Sequence, residues 1–251
     1  MRDVDLCWRV EAACRHAWPA LVEITRGDWS LRFANGRSRR ANSANALHAT
    51  SDLTDEIIAW VEAEYRKRAL PPIFRVTRLQ GDAIDQQLAA SGYEAEGKSL
   101  TLYADLPAMP MRHDPDVAIT SRADEAWFTA MAHLQGWDAD IQAGYSAIVR
   151  QIDGDAAFFR LDLDGRPAAM AFSVIHDGIA CLESVVSDAT RRRQGHGSRL
   201  VGALLAWAIN QGARGACLQV DADNTPALTL YRGMGFLKDL YPYRYRVKLR
   251  D

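Results

Sequence analysis

Apolar side chains near the start of the chain recur every three or four positions, which is the spacing of one face of an α-helix. The residues of this stripe are Leu6, Val10, Ala13 and Ala17. The stripe predicts a helix over residues 3–18 that a proline ends. Strand-like alternation follows at 21–25 and 29–34, and the Asn35-Gly36 pair after it is typical of a hairpin turn.

Residues 37–47 show little alternation and suit an edge or bulged strand. We expect the basic side chains of this segment to lie on a solvated face, with an anion contact as the less favoured alternative; they are Arg37, Arg39 and Arg40. Further along, the pattern predicts a helix from a Ser51 or Asp52 cap to Arg68. A strand, a short helix and a closing strand follow at 71–77, 82–93 and 97–106.

Prolines and charges over residues 107–115 mark a boundary in the chain. We therefore expect one domain over residues 1–108 and a second over 116–251. The second begins with a short strand at 117–120 and a helix that opens near Ser121, with breaks near Gly136 and Gly144.

Three alternating apolar runs lie between residues 156 and 187, and Asp-Gly pairs join them. Asp-Gly between such runs is a strong hairpin signal, so the runs predict an antiparallel meander. A helix over 197–211 and a strand over 216–220 follow. The buried stripe of that helix consists of Leu200, Val201, Leu204, Leu205 and Ala208. A meander followed by a strand–helix–strand crossover predicts a mixed α/β sheet.

Composition narrows the function classes. The chain has 251 residues, 48% of them hydrophobic, and a formal net charge of −2, so no basic field argues for nucleic acid. Four widely spaced cysteines favour buried or free thiols, and six scattered histidines show no spacing of metal ligands. Since no signal-peptide core or membrane-spanning run is found, we expect a soluble cytoplasmic protein with no membrane partner.

A polar loop joins the meander to its following helix, and we call residues 192–198 the cradle loop. It begins Arg192, Arg193, Gln194, Gly195, His196 and Gly197. Glycines without a Cβ atom let backbone N–H groups converge, and a helix start adds unpaired N–H groups and the positive end of its dipole. With two arginines beside them, these groups predict a binding site for a pyrophosphate.

A second constellation follows the strand at 216–220. Asn224 suits a helix N-cap, and Tyr231 lies two turns further along the same face. A tyrosine in this place could donate a proton to a leaving group or could simply pack in the core. The residues alone leave both alternatives open.

Taken together, these motifs resemble those of the GNAT superfamily of acyl-CoA-dependent N-acyltransferases. The superfamily motif Q/R-x-x-G-x-G/A is matched by Arg192, Gly195 and Gly197. Its later motif N-x-x-A-x-x-L-Y-x-x-x-G-F is matched by Asn224, Ala227, Leu230, Tyr231, Gly235 and Phe236. The resemblance implies a GNAT fold, a mostly antiparallel twisted sheet flanked by helices, from about residue 116 onward.

The resemblance also implies acetyl-CoA as co-substrate and assigns roles. The residues implied to contact it are Val185, Val186, Ser187, Arg192, Arg193, Gln194, Gly195, His196, Gly197, Ser198 and Asn224. Tyr231 would protonate the departing thiolate, and a backbone N–H near Val186 would stabilise the tetrahedral intermediate. No metal is implied.

Glu183 lies on the strand before the cradle loop, where several superfamily members carry a proposed catalytic glutamate. Strand alternation predicts that Cys181, Glu183 and Val185 share one face. We expect Glu183 either to take the proton of the amine or to serve as a structural carboxylate. The resemblance leaves open whether the acceptor is a small molecule or a protein lysine or N-terminus. It also leaves open whether the protein is a monomer or a homodimer.

The first half resembles a degenerate copy of the same GNAT-like unit, because the sequence around Gly92 is similar in pattern to the sequence around Gly235. It lacks both the R-x-x-G-x-G motif and a match for Tyr231. This implies a tandem arrangement in which the second half alone binds CoA. The expected function is acetyl transfer to a primary amine by direct attack in a ternary complex. The alternative is a non-catalytic acyl-CoA-binding or sensing protein.

Overall fold

The computed structural model of the protein describes residues 4–36, 38–107 and 114–248. The elements of the first half are α1 (Val4–Ala17), β1 (Val22–Arg26), β2 (Trp29–Phe33), β3 (Ala44–Ala46), α2 (Asp55–Lys67), β4 (Ile73–Thr77), α3 (Ala83–Ala90) and β5 (Glu94–Asp105). Those of the second half are β6 (Val117–Thr120), α4 (Glu125–Gln135), α5 (Ala139–Val149), β7 (Asp155–Leu163), β8 (Arg166–His176), β9 (Ile179–Ser187), α6 (His196–Asn210), β10 (Gly215–Asp221), α7 (Thr225–Gly233) and β11 (Lys238–Val247).

These strands form one sheet in the order β1-β2-β3-β4-β11-β5-β10-β9-β8-β7-β6. Neighbouring strands are antiparallel, apart from the parallel pairs β3–β4 and β9–β10. Helices cover both faces of the second half: α1, α4 and α5 contribute to the core on one face, and α6 and α7 to the core on the other. The predicted mixed α/β sheet flanked by helices is confirmed.

The two halves exchange their last strands. β11 of the second half lies between β4 and β5 of the first half, and β5 lies between β11 and β10. Each half therefore has a strand–helix–strand unit into which the other half inserts a strand. The predicted division into 1–108 and 116–251 stays a prediction, because residues 108–113 of the linker lie outside the described residues.

Both Asp-Gly turns of the meander have the predicted geometry. Asp164, Gly165, Asp177 and Gly178 have φ angles of 54°, 72°, 49° and 70°. Two successive positive φ angles are what a type I′ hairpin turn requires, and Asp-Gly adopts them at little cost. The turns fix the register of β7, β8 and β9, and so they determine where β9 ends beside the cradle loop.

Several helix boundaries differ from the sequence prediction. The N-cap of α2 is Thr54 rather than Ser51 or Asp52, and that of α4 is Asp124 rather than Ser121. In both helices the side-chain oxygen of the cap accepts a hydrogen bond from a first-turn N–H, which sets the start. Gly144 lies inside α5 and does not break it. Among the described helices, none is both long and apolar enough to cross a membrane.

The predicted strand over 37–47 is largely absent. Only β3 is extended, and a 3-10 turn covers Arg39–Ala41. The Asn42 side chain accepts hydrogen bonds from the N–H groups of Ala34 and Gly36 at 2.7 and 3.0 Å. These bonds hold a wide connection after β2, so Asn35-Gly36 does not close a two-residue hairpin. Arg37 lies outside the described residues.

Candidate active site

The central feature of the site is an opening between β9 and β10. The described pairing of these strands ends at Leu182 and Leu218. A bulge in β9 follows at once, because β9 gains one residue relative to β8 between Glu183 and Val186, and Ser184 has a φ of 53°. A bulge bends a strand and can end its pairing. We call the resulting gap, which the starts of α6 and α7 flank, the strand opening.

The cradle loop has the geometry of an anion site. Helix α6 begins directly after Gly195, which has a φ of 80° and offers no side-chain cap. The first-turn N–H groups of α6 therefore have no partner within the helix. An added Cβ on Gly195 would meet nothing within 4 Å, and Arg192 and Arg193 are exposed beside it. Open N–H groups, a helix start and two guanidinium groups fit a pyrophosphate.

Two residues of the cradle loop face inward. A Cβ on Gly197 would lie 3.3 Å from Cδ2 of Leu230, so this glycine permits close packing of α6 on α7. His196 is only 6% exposed, so it is buried although it belongs to the polar cradle loop. The reason is its position at the start of α6, one turn before buried Leu200. Its backbone N–H remains at the helix start.

The end of β9 departs from simple alternation. Val186 packs against the core that contains Cys181, whereas Val185 packs against the core on the opposite face. The expectation that Val185 shares the face of Cys181 and Glu183 is therefore wrong. The bulge at Ser184 adds one residue and reverses the alternation behind it. Ser187 is exposed at the end of the strand.

Helix α7 brings the second motif to the strand opening. Asn224 is its N-cap, as predicted, and its Oδ1 accepts a hydrogen bond from the N–H of Ala227 at 3.2 Å. Tyr231 is 7% exposed, and its ring lies 5.9 Å from that of Phe236. Burial, together with the charge of Glu183, raises the pKa of the Tyr231 phenol. The protonated phenol, the form that can donate a proton, is thus the stable one.

Glu183 is held by an arginine of the first half. Arg40 donates from Nη1 to Oε1 at 2.7 Å and from Nη2 to Oε2 at 2.6 Å. Its Nη1 also lies 3.4 Å from Oε1 of Gln219 on β10, so the guanidinium group spans the strand opening. The same group lies 4.9 Å from the ring centre of Trp18. The solvated face predicted for Arg40 is wrong, and the less favoured anion contact is what the structure has.

Sequence reasoning missed the residues that surround Glu183. Arg40 and Trp18 come from the first half, and Tyr145 of α5 packs against Trp18 with 5.7 Å between ring centres. No local pattern in the sequence relates these positions to β9. The strand exchange places the first half beside β9 and β10, and so it brings Arg40 and Trp18 next to Glu183.

All four cysteines are buried free thiols, as expected. Three of them meet under Glu183: the sulfur of Cys14 lies 3.7 Å from that of Cys181 and 3.9 Å from that of Cys217. Cys181 and Cys217 are register partners on β9 and β10, and α1 packs over them. Their contact therefore follows from sheet pairing and helix packing.

Known protein sequences resemble this chain over nearly its whole length. The model of the family described as "Probable histone acetyltransferase Rv0428c C-terminal" matches residues 7–246. The "Uncharacterized N-acetyltransferase YobR" of Bacillus subtilis (strain 168) is 28% identical in an alignment of 255 residues. The alignment covers 99% of this chain and 100% of the relative.

Solved structures share the fold at low sequence identity. A GCN5-related N-acetyltransferase from Kribbella flavida superposes with a TM-score of 0.68 at 16% identity, covering 99% of this chain and 96% of the other. A tandem GNAT protein from the clavulanic acid biosynthesis pathway gives 0.64 at 12% identity, with coverage of 99% and 94%. Both likenesses extend over nearly the whole chain.

Proposed function

This chain belongs to the GNAT superfamily of N-acetyltransferases, within the Rv0428c C-terminal family, and we propose that it transfers an acetyl group from acetyl-CoA to a primary amine. One observation carries the proposal. The strand opening has an uncapped helix start with two exposed arginines beside it, and a buried tyrosine whose pKa is raised by burial and by the charge of buried Glu183. These features support an anion site for the cofactor arm next to groups that could transfer protons.

We propose that the cradle loop holds the pyrophosphate of acetyl-CoA. The N–H groups at the start of α6 and the guanidinium groups of Arg192 and Arg193 would bind its oxygens. The residues proposed to contact the co-substrate are Val185, Val186, Ser187, Arg192, Arg193, Gln194, Gly195, His196, Gly197, Ser198 and Asn224. Because the described pairing of β9 with β10 stops at Leu182, the later backbone groups of β9 can pair with the amides of the pantetheine arm.

The proposed chemistry is a single displacement. The amine nitrogen adds to the acetyl carbon and loses one proton, and the tetrahedral oxyanion then collapses as the C–S bond breaks and the thiolate leaves. Glu183 is proposed to take that proton, directly or through water, since hydrogen bonds from Arg40 fix the position of both carboxylate oxygens. Tyr231 is proposed to protonate the departing thiolate, and an N–H near Val186 to stabilise the oxyanion.

The proposal assigns CoA binding to the second half alone. In the first half, the helix that corresponds to α6 is α2, and the side chain of its N-cap Thr54 already accepts a hydrogen bond from Ile57. That helix start is therefore partly satisfied, whereas the start of α6 has no side-chain cap. The first half instead supplies Arg40 to the acceptor side of the site.

The competing proposal is a non-catalytic acyl-CoA-binding or sensing protein. The ion pair between Arg40 and Glu183 favours it, because both carboxylate oxygens already accept hydrogen bonds from Arg40. Thiol release from acetyl-CoA with a panel of small amines and lysine peptides separates the two. Release with some amines is expected. Binding without release for any amine would support the sensor, and the same panel would indicate whether a small molecule or a protein is the acceptor.

A further inference from the structure

Three buried cysteines meet where α1 packs on β9 and β10, and we call them the thiol cluster. Its members are Cys14, Cys181 and Cys217. The sulfur of Cys14 lies 3.7 Å from that of Cys181 and 3.9 Å from that of Cys217, and all three sulfurs lie within 4.8 Å of one another. Among the described residues, no other group of three side chains of the types that bind metals comes together in this way.

The positions of the three sulfurs are fixed by regular structure rather than by a loop. Cys181 and Cys217 are register partners on the parallel strands β9 and β10, so their side chains lie on the same face of the sheet. Cys14 reaches that face from α1. The three cysteines are far apart in the sequence, which is why their spacing predicts no metal site. Sites held on strands and helices are more precise than sites on loops.

The distances match those of three thiolates around one metal ion. A metal–thiolate bond is about 2.3 Å long, so the sulfurs around one ion lie about 3.8 Å apart in tetrahedral and about 4.0 Å apart in trigonal geometry. The two shortest contacts of the thiol cluster, 3.7 and 3.9 Å, are already close to these values. An ion at the centre would therefore require little movement of α1 or of the strands.

The surroundings of the thiol cluster are partly polar, unlike those of cysteines that pack only as small apolar side chains. Oε1 of Glu183 lies 3.6 Å from the sulfur of Cys181. Cys14 lines a small polar cavity together with Arg40 and Arg75, and this cavity has room for about one water molecule. Because the side chain of Arg40 is 21% exposed, the cavity gives Cys14 a polar path towards solvent. The two guanidinium groups would also oppose the negative charge of thiolates.

We propose that the thiol cluster binds a single Cu(I) ion through Cys14, Cys181 and Cys217. Thiolates are soft ligands that select Cu(I) and Zn(II) over harder cations, and the thiol protons leave to solvent as the ion enters. Zinc sites with a structural role are almost always four-coordinate. The nearest candidate for a fourth ligand, the carboxylate of Glu183, already accepts hydrogen bonds from Arg40 at both oxygens. Three sulfurs therefore favour Cu(I), which is stable with three thiolate ligands.

The first test measures Cu(I) binding to the reduced full-length protein. Anaerobic titration against the coloured Cu(I)–bicinchoninate complex gives the stoichiometry and the relative affinity. Cys14→Ser and Cys217→Ser each remove one sulfur. Cys7→Ser is the matched control, because Cys7 is also buried on α1, two turns before Cys14, but lies outside the thiol cluster.

We expect one Cu(I) per chain in the wild type and in Cys7→Ser. The two cluster variants should bind it at least about 100-fold more weakly, since loss of a supporting residue alone can cost that much. Thermal unfolding establishes that each variant is folded. No binding by the wild type, or equal affinity in Cys7→Ser and Cys14→Ser, would overturn the proposal.

The second test needs no variant and identifies the ligands directly. X-ray absorption at the copper edge is measured on the wild type loaded with one equivalent of Cu(I). We expect three sulfur ligands at about 2.3 Å. Two sulfurs only, nitrogen ligands, or uptake of Zn(II) but not Cu(I) in a parallel titration would contradict the Cu(I) site. Neither test involves acetyl-CoA, so their outcome is independent of the proposed acetyl transfer.

Discussion

Arg40 and Glu183 are 143 residues apart in the chain and form a bidentate ion pair, with donor–acceptor distances of 2.7 and 2.6 Å. Arg40 comes from the 3-10 turn after β2, and Glu183 from the bulged end of β9. The pair therefore joins the two halves at the strand opening. The site around Glu183 is complete only when both halves are in place.

Removal of either partner alone should lower the stability of the fold, because the other charge stays largely buried. Glu183 is 4% and Arg40 21% exposed, so Glu183→Gln or Arg40→Gln alone leaves a largely buried charge without its partner. We expect each single variant to lower the free energy of unfolding by about 2 to 4 kcal/mol, and the double variant to lose clearly less than their sum. Urea unfolding of the four proteins measures this.

The exposed pair Arg150–Glu125 is the matched control, with side chains 47% and 79% exposed. Its cycle should show a coupling below about 1 kcal/mol. Additive losses at Arg40 and Glu183 would mean that the two side chains stabilise the protein independently.

Replacement of the proposed base should change the pH dependence of turnover. In Glu183→Gln we expect kcat near neutral pH to fall roughly 100-fold and the rate profile to move to higher pH, where more of the amine is already unprotonated. Thiol release measured from about pH 6 to about pH 10 tests this, because that range extends to the pKa values of amines. An unaltered profile in a folded variant would make Glu183 a structural carboxylate.

Loss of the proposed acid should affect turnover and spare binding. Tyr231→Phe removes one hydroxyl, so we expect kcat to fall roughly 100-fold with little change in acetyl-CoA affinity. Because the pKa of Tyr231 is raised, the wild-type rate should show no fall near pH 10, where an unperturbed tyrosine titrates. Tyr93→Phe removes the hydroxyl of another buried tyrosine, in the first half, and should leave kcat as it is. Turnover at the wild-type rate in Tyr231→Phe would exclude the phenol as the acid.

The strand exchange predicts a pH-dependent contribution to stability. Arg246 of β11 donates two hydrogen bonds of 2.9 Å to Asp85 of α3, and these bonds lower the pKa of Asp85 below its ordinary value of 3.8. A lowered pKa stabilises the fold above pH 3.8, and this contribution is lost as pH falls through the folded pKa. Asp85→Asn should therefore lower Tm at neutral pH by a margin that shrinks in acid.

Thermal unfolding of both proteins across this pH range tests the contribution of Asp85, with exposed Asp52→Asn as control. A margin that is the same at every pH would show that the carboxylate charge of Asp85 does not hold β11 in the first half.

The sequence predicts what local chemistry determines. The Asp-Gly turns, the buried stripe of α6, the cap at Asn224 and the glycine at the start of α6 each depend on residues close to one another in the chain. Their physical causes are positive φ angles, helical periodicity and side-chain capping, and these act within a few residues.

What the sequence could not predict depends on distant contacts. The bulge at Ser184 reverses the faces of Val185 and Val186, and nothing in the apolar run around it signals an extra residue. The weak hydrophobic alternation around Arg40 predicts a solvated face for it. Its partner Glu183 is reached only through the exchange of β5 and β11, which no periodicity within one half reveals.

Calorimetric titration of acetyl-CoA and CoA tests the central claim most directly. We expect acetyl-CoA and CoA to bind at one site per chain with a Kd on the order of micromolar. In Arg192→Glu/Arg193→Glu the affinity should fall by about 100-fold or more, since two charge-assisted contacts become repulsive. The control Arg66→Glu/Arg122→Glu makes the same charge change at exposed positions and should bind as the wild type does. Unchanged affinity in the cradle-loop variant, or no binding to the wild type, would contradict the assignment of the cradle loop as the pyrophosphate site.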